Sequence, residues 1–460
     1  MERVSRRVVP RLRRHAGTLV VVLCGVAALG TLGCRSPAPS PPNVLLILID
    51  TLRADHLGAY GYTRPTSPTF DALAARGVLF TRAHSTTSWT NPAIESLFTG
   101  QHPRVLQPGA AEFIAPNSRT LAQAFRESGY RTAAIIANPV LPPDLGFAQG
   151  FDSYAPVSGW VYGLSKRPKE PAEHVNAAAL QWLQQSSDTR PWFLYLHYMD
   201  PHYPYEAPAD VLRRFWRSEG VDPSTALQPL NAIVRARRSP PSPTQIPQIV
   251  DLYDAAVAHV DAQVGELLSR LQADGRLTNT IVCLMADHGE ELGDHGGLQH
   301  ARTLYEEVLR IPLLIVPPAG HASERIERLV QITGVGRTLL DLAGLGDRDF
   351  PGRALAGGRA AAADGAVFAE LLPGFLLGTQ HHYALLRDAT KLVVTADGES
   401  LLFDLAADPA ERQSVAAAAP ERVAELKQQL AQAAQPEPAP ALRTPDAATR
   451  ERLRALGYEN

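Results

Sequence analysis

Cysteine is scarce in this sequence, with three among 460 residues. Two of them, Cys34 and Cys283, would remain after removal of an amino-terminal leader, and Cys283 lies within the apolar run 280–286, which is typical of a buried strand. We therefore expect no disulfide framework. Buried in such a strand, Cys283 is expected to be a packing residue rather than a nucleophile.

A strong excess of charge is also absent. Lysine and arginine number 44 and aspartate and glutamate 47, so the net charge of -3 gives no support for nucleic-acid binding. No internal repeat is visible. The hydrophobic fraction of 45% and the charged fraction of 20% are those of a globular protein. The length exceeds one ordinary core and predicts two domains, whereas the oligomeric state is not predicted.

The amino terminus has the pattern of an export signal rather than of a folded element. Six arginines precede residue 15, and an apolar stretch over 17–33 leads to Cys34. Residues 1–34 resemble a bacterial lipoprotein signal, in which the cysteine is lipidated after cleavage, although Thr31 stands where Leu is usual. The alternative is an uncleaved membrane anchor, because the apolar stretch is just short of a span. Either way we expect an exported protein, anchored in the bacterial cell envelope as a periplasmic or outer-membrane lipoprotein, with residues 35–42 as a Pro- and Ser-rich linker.

Two apolar runs end in polar residues that can bind a cation. One run ends at Asp50 and the other at Asp287 and His288. Runs without alternation are typical of strands covered on both faces, and open α/β sheets bind ligands at the carboxyl ends of such strands. A carboxylate beside an imidazole is costly to bury unless a charged partner, best a divalent cation, balances it. Thr90 precedes a short helix whose amino terminus favours anions, and the combination indicates attack on a charged ester.

Strand-like runs alternate with helical patterns over residues 43–345, which predicts an α/β catalytic domain with a mainly parallel sheet sandwiched by helices. The strands fall at 132–137, 192–198, 281–286 and 309–316, and the helices at 119–128 and 252–271. Residues 346–434 are expected to form a smaller α+β domain, with strands at 383–388, 391–395 and 401–405 and a helix at 420–433. Residues 435–460 are expected to be a Pro-rich linker and a terminal helix.

Six segments carry motifs in a recognisable order. They are residues 42–61, Asp200-Pro-His-Tyr-Pro204, Asp287-His-Gly-Glu-Glu-Leu-Gly-Asp-His-Gly296, 304–312, 401–409 and 453–458. Together they span almost the whole mature chain, and they resemble the sulfatase family of the alkaline-phosphatase superfamily. The resemblance implies that Asp50, Asp287 and His288 bind a divalent metal ion. One ion is expected, because Thr51 stands where the family often has a second Asp; it is Ca²⁺ by the resemblance, with Mn²⁺ or Zn²⁺ as alternatives.

The resemblance places the nucleophile ten residues before Gly100, at Thr90. Sulfatases have there a Cys or Ser, within Cys/Ser-x-Pro-x-Arg, that is oxidised to formylglycine. Thr cannot give that aldehyde, and the Arg of the motif is absent. Three roles remain for Thr90. It is a metal-activated alkoxide, as in the similar nucleotide phosphodiesterases and phosphoethanolamine transferases, or it holds a water molecule or the substrate. In the third, the protein is a binding homologue without catalysis. The Thr90 hydroxyl also suits a helix cap. Ser88 is a rival nucleophile, but the spacing to Gly100 favours Thr90.

Two histidines complete the expected site. His202 resembles the family histidine that contacts the anionic oxygens of the ester. His300 lies near the place of the family Lys or His that assists the leaving group, and a histidine suits that proton transfer. Asn138 replaces the basic residue that the family has after the third strand, which lowers the expected preference for sulfate. Asp294 and His295 are expected to line the cleft rather than to form a second metal site.

The sequence thus predicts a sulfatase-like, metal-dependent hydrolase of sulfuric esters that lacks formylglycine. One alternative is a phosphoesterase or phosphotransferase with Thr90 as nucleophile, and another is a non-catalytic homologue that binds anions or glycans. The expected partners are a sulfate- or phosphate-ester substrate and the membrane, through lipidated Cys34 or an amino-terminal anchor. Nucleic acid is not an expected partner.

Overall fold

The computed structural model describes residues 40–103, 113–157, 170–185, 188–236, 240–318, 323–346, 349–355, 365–371 and 381–433. The described residues from Pro41 onwards form one compact unit. The predicted leader with Cys34 and the predicted terminal helix lie outside these ranges. No helix within them combines the length and the apolar composition needed to cross a membrane.

The secondary structure of these ranges alternates between strands and helices. In chain order the strands are β1 Asn43–Ile49, β2 Val78–His84, β3 Arg131–Ile136, β4 Ser153–Pro156, β5 Trp192–Tyr198, β6 Thr280–Met285, β7 Glu291–Leu292, β8 Leu298–Gln299, β9 Arg310–Val316, β10 Glu324–Ile326, β11 Val330–Gln331, β12 Ala366–Leu371, β13 His382–Arg387, β14 Thr390–Val394 and β15 Ser400–Asp404. The α-helices are α1 Pro68–Ala74, α2 Thr90–Thr99, α3 Leu121–Glu127, α4 Ala172–Gln184, α5 Ala209–Phe215, α6 Pro223–Ala236, α7 Gln245–Ala273, α8 Glu306–Leu309, α9 Val335–Leu342 and α10 Pro420–Ala433.

A nine-stranded sheet forms the centre of the unit, in the order β10-β2-β9-β6-β1-β5-β3-β4, with β11 beside β2. Strand β9 runs antiparallel to β2 and β6, and the other neighbouring strands are parallel. Leu48 of β1 pairs with both His197 and Met285, so β1, β5 and β6 end at the same edge of the sheet. The prediction of a mainly parallel α/β sheet is confirmed.

The helices pack against this sheet in two groups. Helices α1, α4, α5 and α6 contact the long helix α7, whereas α2 contacts α3 and α9. Helix α7 begins at Gln245, seven residues before the predicted start at 252, and Pro247 lies in its first turn. A proline there costs little, since the backbone N–H groups of a first turn have no partner within the helix.

A second, four-stranded antiparallel sheet is formed by β12 to β15. The predicted strands match β13, β14 and β15 within about one residue, the helix at 420–433 matches α10, and β12 was not predicted. Leu426 and Leu430 of α10 pack on this sheet. The sheet is joined to the rest by the buried Lys391, whose Nζ lies 3.0 Å from Glu306 Oε1 and 2.9 Å from Glu411 Oε1. The domain division at residue 345 stays a prediction.

Candidate functional site

Three of the predicted site residues meet at the carboxyl edge of the main sheet. Asp50 follows β1, and Asp287 and His288 follow β6 by one and two positions beyond Ala286. Their ligand atoms all lie within 4.8 Å of one another, and no other group of three such side chains occurs in the described part of the chain. All three are fully buried. The structure therefore brings together the set that the sequence proposed as metal ligands.

The donor atoms of this set fit a divalent cation. Asp50 Oδ1 and Asp287 Oδ2 are buried without a hydrogen-bond partner among the described residues, and buried carboxylate oxygens are costly to leave unsatisfied. His288 Nδ1 lies 2.9 Å from the Gly289 carbonyl, which only accepts, so Nδ1 carries the proton. The other ring nitrogen, Nε2, is then a ligand atom, as in metal sites whose histidine donates its second N–H to a carbonyl.

The two carboxyl groups differ in their electrostatic surroundings. Burial raises the pKa of Asp50, but the hydrogen bond from His197 and the charges of His202, His197 and His288 outweigh it and hold that pKa well below its usual range. Burial and the charge of Asp50 raise the pKa of Asp287. Two carboxylates this close repel each other, and a cation between them removes the repulsion.

The second oxygen of Asp50 is held by residues that the sequence did not identify as its partners. Asn138 Nδ2 donates to Asp50 Oδ2 at 2.6 Å, and His197 Nε2 lies 3.0 Å from the same oxygen. The Tyr195 hydroxyl lies 2.7 Å from His197 Nδ1, and burial raises the pKa of Tyr195 far above its usual value, so this hydroxyl remains a donor. With Oδ2 engaged, Oδ1 is the oxygen of Asp50 that faces a cation.

Thr90 is the first residue of α2, and its hydroxyl is turned toward the carboxylates. Thr90 Oγ1 lies 3.2 Å from His288 Nε2 and 3.5 Å from Asp50 Oδ2. The cap position is Trp89, without a side-chain hydrogen bond, so the helix-cap interpretation of the Thr90 hydroxyl is wrong. The rival nucleophile is turned elsewhere, because Ser88 Oγ donates to the Thr303 carbonyl at 2.8 Å.

The two predicted histidines lie beside this group. The ring of His300 is centred 4.5 Å from the ring of His288 and 5.1 Å from that of His202. His202 Nδ1 donates to the Tyr203 carbonyl at 2.6 Å, which makes Nε2 the nitrogen that can face a substrate. His300 Nδ1 lies 2.9 Å from Glu290 Oε1, a contact that the sequence did not predict.

Asp294 and His295 are engaged in other pairs. Asp294 Oδ2 accepts from Arg53 Nη1 at 2.7 Å, and His295 Nδ1 lies 2.6 Å from Glu307 Oε1. Both residues line a cleft of about 260 Å³ together with Arg53 and Glu307. None of Asp50, Thr90, Asp287 and His288 is among the residues that line this cleft, so the expectation that the pair lines the cleft of the site stays a prediction.

Comparison with known proteins gives a consistent result. A model of the Sulfatase family matches residues 42–345. The uncharacterised sulfatase YidJ of Escherichia coli K12 is 26% identical, with 61% of this chain and 63% of that protein covered, and arylsulfatase K of Bos taurus is 25% identical, with 85% and 81% covered. The chain therefore spans just under two thirds of YidJ. The phosphonate monoester hydrolase of Agrobacterium radiobacter shares the fold, with a TM-score of 0.67 at 23% identity over 85% of this chain and 95% of that one.

Proposed function

Because the chain belongs to the sulfatase family, we propose that it is a metal-dependent hydrolase of sulfuric esters in which Thr90 is the nucleophile. The observation that carries the proposal is the 3.2 Å distance between Thr90 Oγ1 and His288 Nε2, within a buried group of two carboxylates and a histidine. A hydroxyl serving only as a helix cap would face the backbone N–H groups of α2 instead.

Asp50, Asp287 and His288 would hold the metal ion. We propose Ca²⁺, because two carboxylates supply hard oxygen ligands, although the imidazole also suits Mn²⁺ or Zn²⁺. Once bound, such an ion would offset the two carboxylate charges and lower the pKa of the nearby Thr90 hydroxyl.

The side chains around Thr90 supply the remaining steps. Thr90 Oγ1, which has lost its proton to solvent, forms a bond to sulfur while the bond from sulfur to the leaving alcohol breaks. His202, protonated on both ring nitrogens, donates from Nε2 to the anionic oxygens, and protonated His300 gives a proton to the leaving oxygen. Water then attacks the sulfur of the Thr90 ester and passes a proton to His300, so that sulfate leaves and Thr90 is restored. Thr90 has a single hydroxyl and cannot expel the sulfate by itself, so water must cleave the ester that Thr90 forms.

A second candidate is the hydrolysis of singly charged phosphate diesters. Among the described residues, the side-chain hydrogen bonds and ion pairs of Thr90, Asp50, Asp287 and His288 involve no lysine or arginine. The charges that lower the pKa of Asp50 are those of histidines. A divalent ion only cancels the two carboxylates, so His202 and His300 are left to balance the substrate. This count favours one negative charge on the ester, whether a sulfate monoester or a phosphate diester, over the two of a phosphate monoester.

A panel of aryl esters tests this charge preference. We expect kcat/KM for 4-nitrophenyl sulfate or bis(4-nitrophenyl) phosphate to exceed that for 4-nitrophenyl phosphate by at least about tenfold, which corresponds to roughly 1.4 kcal/mol. The relative rates on the first two esters decide between sulfatase and phosphodiesterase. Preference for the phosphate monoester would contradict the charge argument. No turnover of any ester, together with binding of a sulfated polysaccharide, would favour the non-catalytic alternative.

The basic and apolar leader that ends at Cys34 supports a further proposal. We propose that the chain is exported and is tethered in the cell envelope through Cys34. In a bacterial host, Cys34→Ser is expected to abolish incorporation of a labelled fatty acid and to move the protein from the membrane to the soluble fraction. Cys283→Ser is the matched control, because Cys283 is a buried free thiol in β6 and should leave the label unchanged. Membrane retention of the Cys34→Ser variant would instead favour an uncleaved anchor.

A further inference from the structure

We propose that Glu290 is a positioning residue that holds His300 for proton transfer, an inference that rests on the ester hydrolysis proposed above. His300 Nδ1 lies 2.9 Å from Glu290 Oε1, and both side chains are fully buried. A carboxylate in such surroundings is costly unless it is bound to a donor. The pair is therefore expected to stay together, with His300 Nδ1 donating to Glu290 Oε1.

The main chain of Glu290 is fixed from two sides. Its N–H donates to the Glu307 carbonyl at 3.2 Å, and its carbonyl accepts from Arg53 Nη1 at 3.0 Å. Arg53 is itself buried and bound to Asp55 and Asp294. Glu290 thus has little freedom to move relative to β6, which delivers Asp287 and His288.

The main chain of His300 is held in an unfavourable conformation on both sides. Gln299 and Ala301 have φ values of 70° and 64°, a region that residues other than glycine rarely adopt. Gln299 Nε2 donates to the Val234 carbonyl at 2.9 Å, and the Ala301 N–H donates to the Ser88 carbonyl at 2.9 Å. Such conformations persist where the surroundings impose them, and they concentrate at functional sites.

The contact of Ala301 with Ser88 ties His300 to the segment that carries the nucleophile. Ser88 stands two residues before Thr90, so the peptide next to His300 is bonded to the peptide that leads into Thr90. The His300 ring also packs against the ring of His288 at 4.5 Å. Glu290 completes this arrangement, because its carboxylate selects the ring orientation in which Nε2 exchanges protons with the ester.

His300 donates a proton in the first half of the reaction and accepts one in the second. In the first half, Thr90 Oγ1 reacts as the alkoxide, its proton having gone to solvent, and protonated His300 gives its Nε2 proton to the leaving oxygen as Oγ1 takes that oxygen's place on sulfur or phosphorus. In the second half, neutral His300 accepts a proton from the attacking water as the bond to Thr90 Oγ1 breaks. Glu290 Oε1 accepts from His300 Nδ1 in both halves and so keeps the ring in one orientation.

The leaving group of the ester separates this role from a merely structural one. In the full chain, Glu290→Gln is expected to lower kcat/KM, which reports formation of the Thr90 ester, about a hundredfold on phenyl esters, whose leaving oxygen needs a proton, and less than about threefold on 4-nitrophenyl esters, whose leaving oxygen does not. Glu290→Asp keeps the charge and should recover part of the loss on the phenyl ester.

Glu291→Gln is the matched control, because Glu291 is an adjacent buried glutamate that accepts a hydrogen bond from Thr303 rather than from a histidine. It should affect both esters equally. In addition, the double variant Glu290→Gln/His300→Asn should lose no more activity on the phenyl ester than His300→Asn alone. If Glu290→Gln lowers activity equally on both esters, or if the losses add in the double variant, the role of Glu290 is overturned while the proposed ester hydrolysis stands. A wild-type chain that turns over neither ester would overturn the proposed function, and this role with it.

Discussion

Replacement of Thr90 by alanine is expected to reduce kcat on the preferred aryl ester by at least about a thousandfold, because a nucleophile has no substitute within the same site. Thr90 Oγ1 is the hydroxyl 3.2 Å from His288 Nε2, and the Ser88 hydroxyl is bound to the Thr303 carbonyl instead. Thr90→Ser keeps the hydroxyl and should retain a substantial part of the activity. Steady-state kinetics on the three proteins, with their metal content measured, makes the comparison.

Thr87 provides the matched control for this experiment. It lies three residues before Thr90, is equally buried, and its hydroxyl has no hydrogen-bond partner among the described residues. Thr87→Ala removes the same atoms from the same segment and should change kcat by less than about threefold. Turnover unchanged by Thr90→Ala would rule out the nucleophile and would leave Thr90 as a group that holds water or substrate.

A covalent intermediate gives a second readout of the same claim. If Thr90 Oγ1 is the attacking atom, a sulfo or phospho group should be found on the Thr90 peptide after rapid acid quenching, by mass spectrometry. His300→Asn should increase the trapped fraction on 4-nitrophenyl esters, because formation of the adduct needs no proton donor there, whereas its hydrolysis needs His300 to accept a proton from water. The Thr90→Ser variant should carry the group at the same position.

The strands that lead into the site were predictable because they are continuous apolar runs. Strands β1 and β6 are buried along nearly their whole length, and such burial leaves a simple signal in sequence. Strand β2 was missed because Thr81 and Arg82 interrupt its pattern, and its pairing with β9 is irregular between Phe80 and Ala83. A bulge shifts the alternation by one residue, so no simple period describes such a strand.

The sequence could predict those residues of the candidate site that directly follow a buried strand. Asp50, Asp287 and His288 occupy such positions, but the partners of Asp50 come from distant segments: Asn138 is 88 residues away and His197 147. No local pattern encodes those contacts. The one available signal was His197 itself, a single imidazole near the end of the otherwise apolar and aromatic strand β5. The bond of Glu290 to His300 likewise depends on the path of the loop between β7 and β8.

Replacement of Asp287 by asparagine should change stability in opposite directions with and without the metal ion. In a chelator, Asp287 and Asp50 are buried like charges, and burial together with the charge of Asp50 raises the pKa of Asp287. Asparagine has the same shape without the charge, so the variant should be more stable than the wild type by about 1–3 kcal/mol. With excess ion the wild type gains about 2.7 kcal/mol at a concentration a hundred times Kd, and the variant should gain little, because it has lost a charged ligand. Activity should fall at least about a thousandfold.

Thermal unfolding of both proteins in chelator and in excess Ca²⁺, Mn²⁺ or Zn²⁺ makes the measurement, and the ion that gives the largest shift in the wild type identifies the preferred metal. Asp294→Asn is the matched control, because Asp294 lies seven residues further along the chain but pairs with Arg53. It should lose stability in both conditions, since a buried guanidinium loses a partner. If Asp287→Asn and the wild type gain equally from the ion, the ion does not bind at Asp287. The reversal of sign is specific to a ligand, because a carboxylate that serves only to hold the fold stabilises the protein whether or not a metal is present.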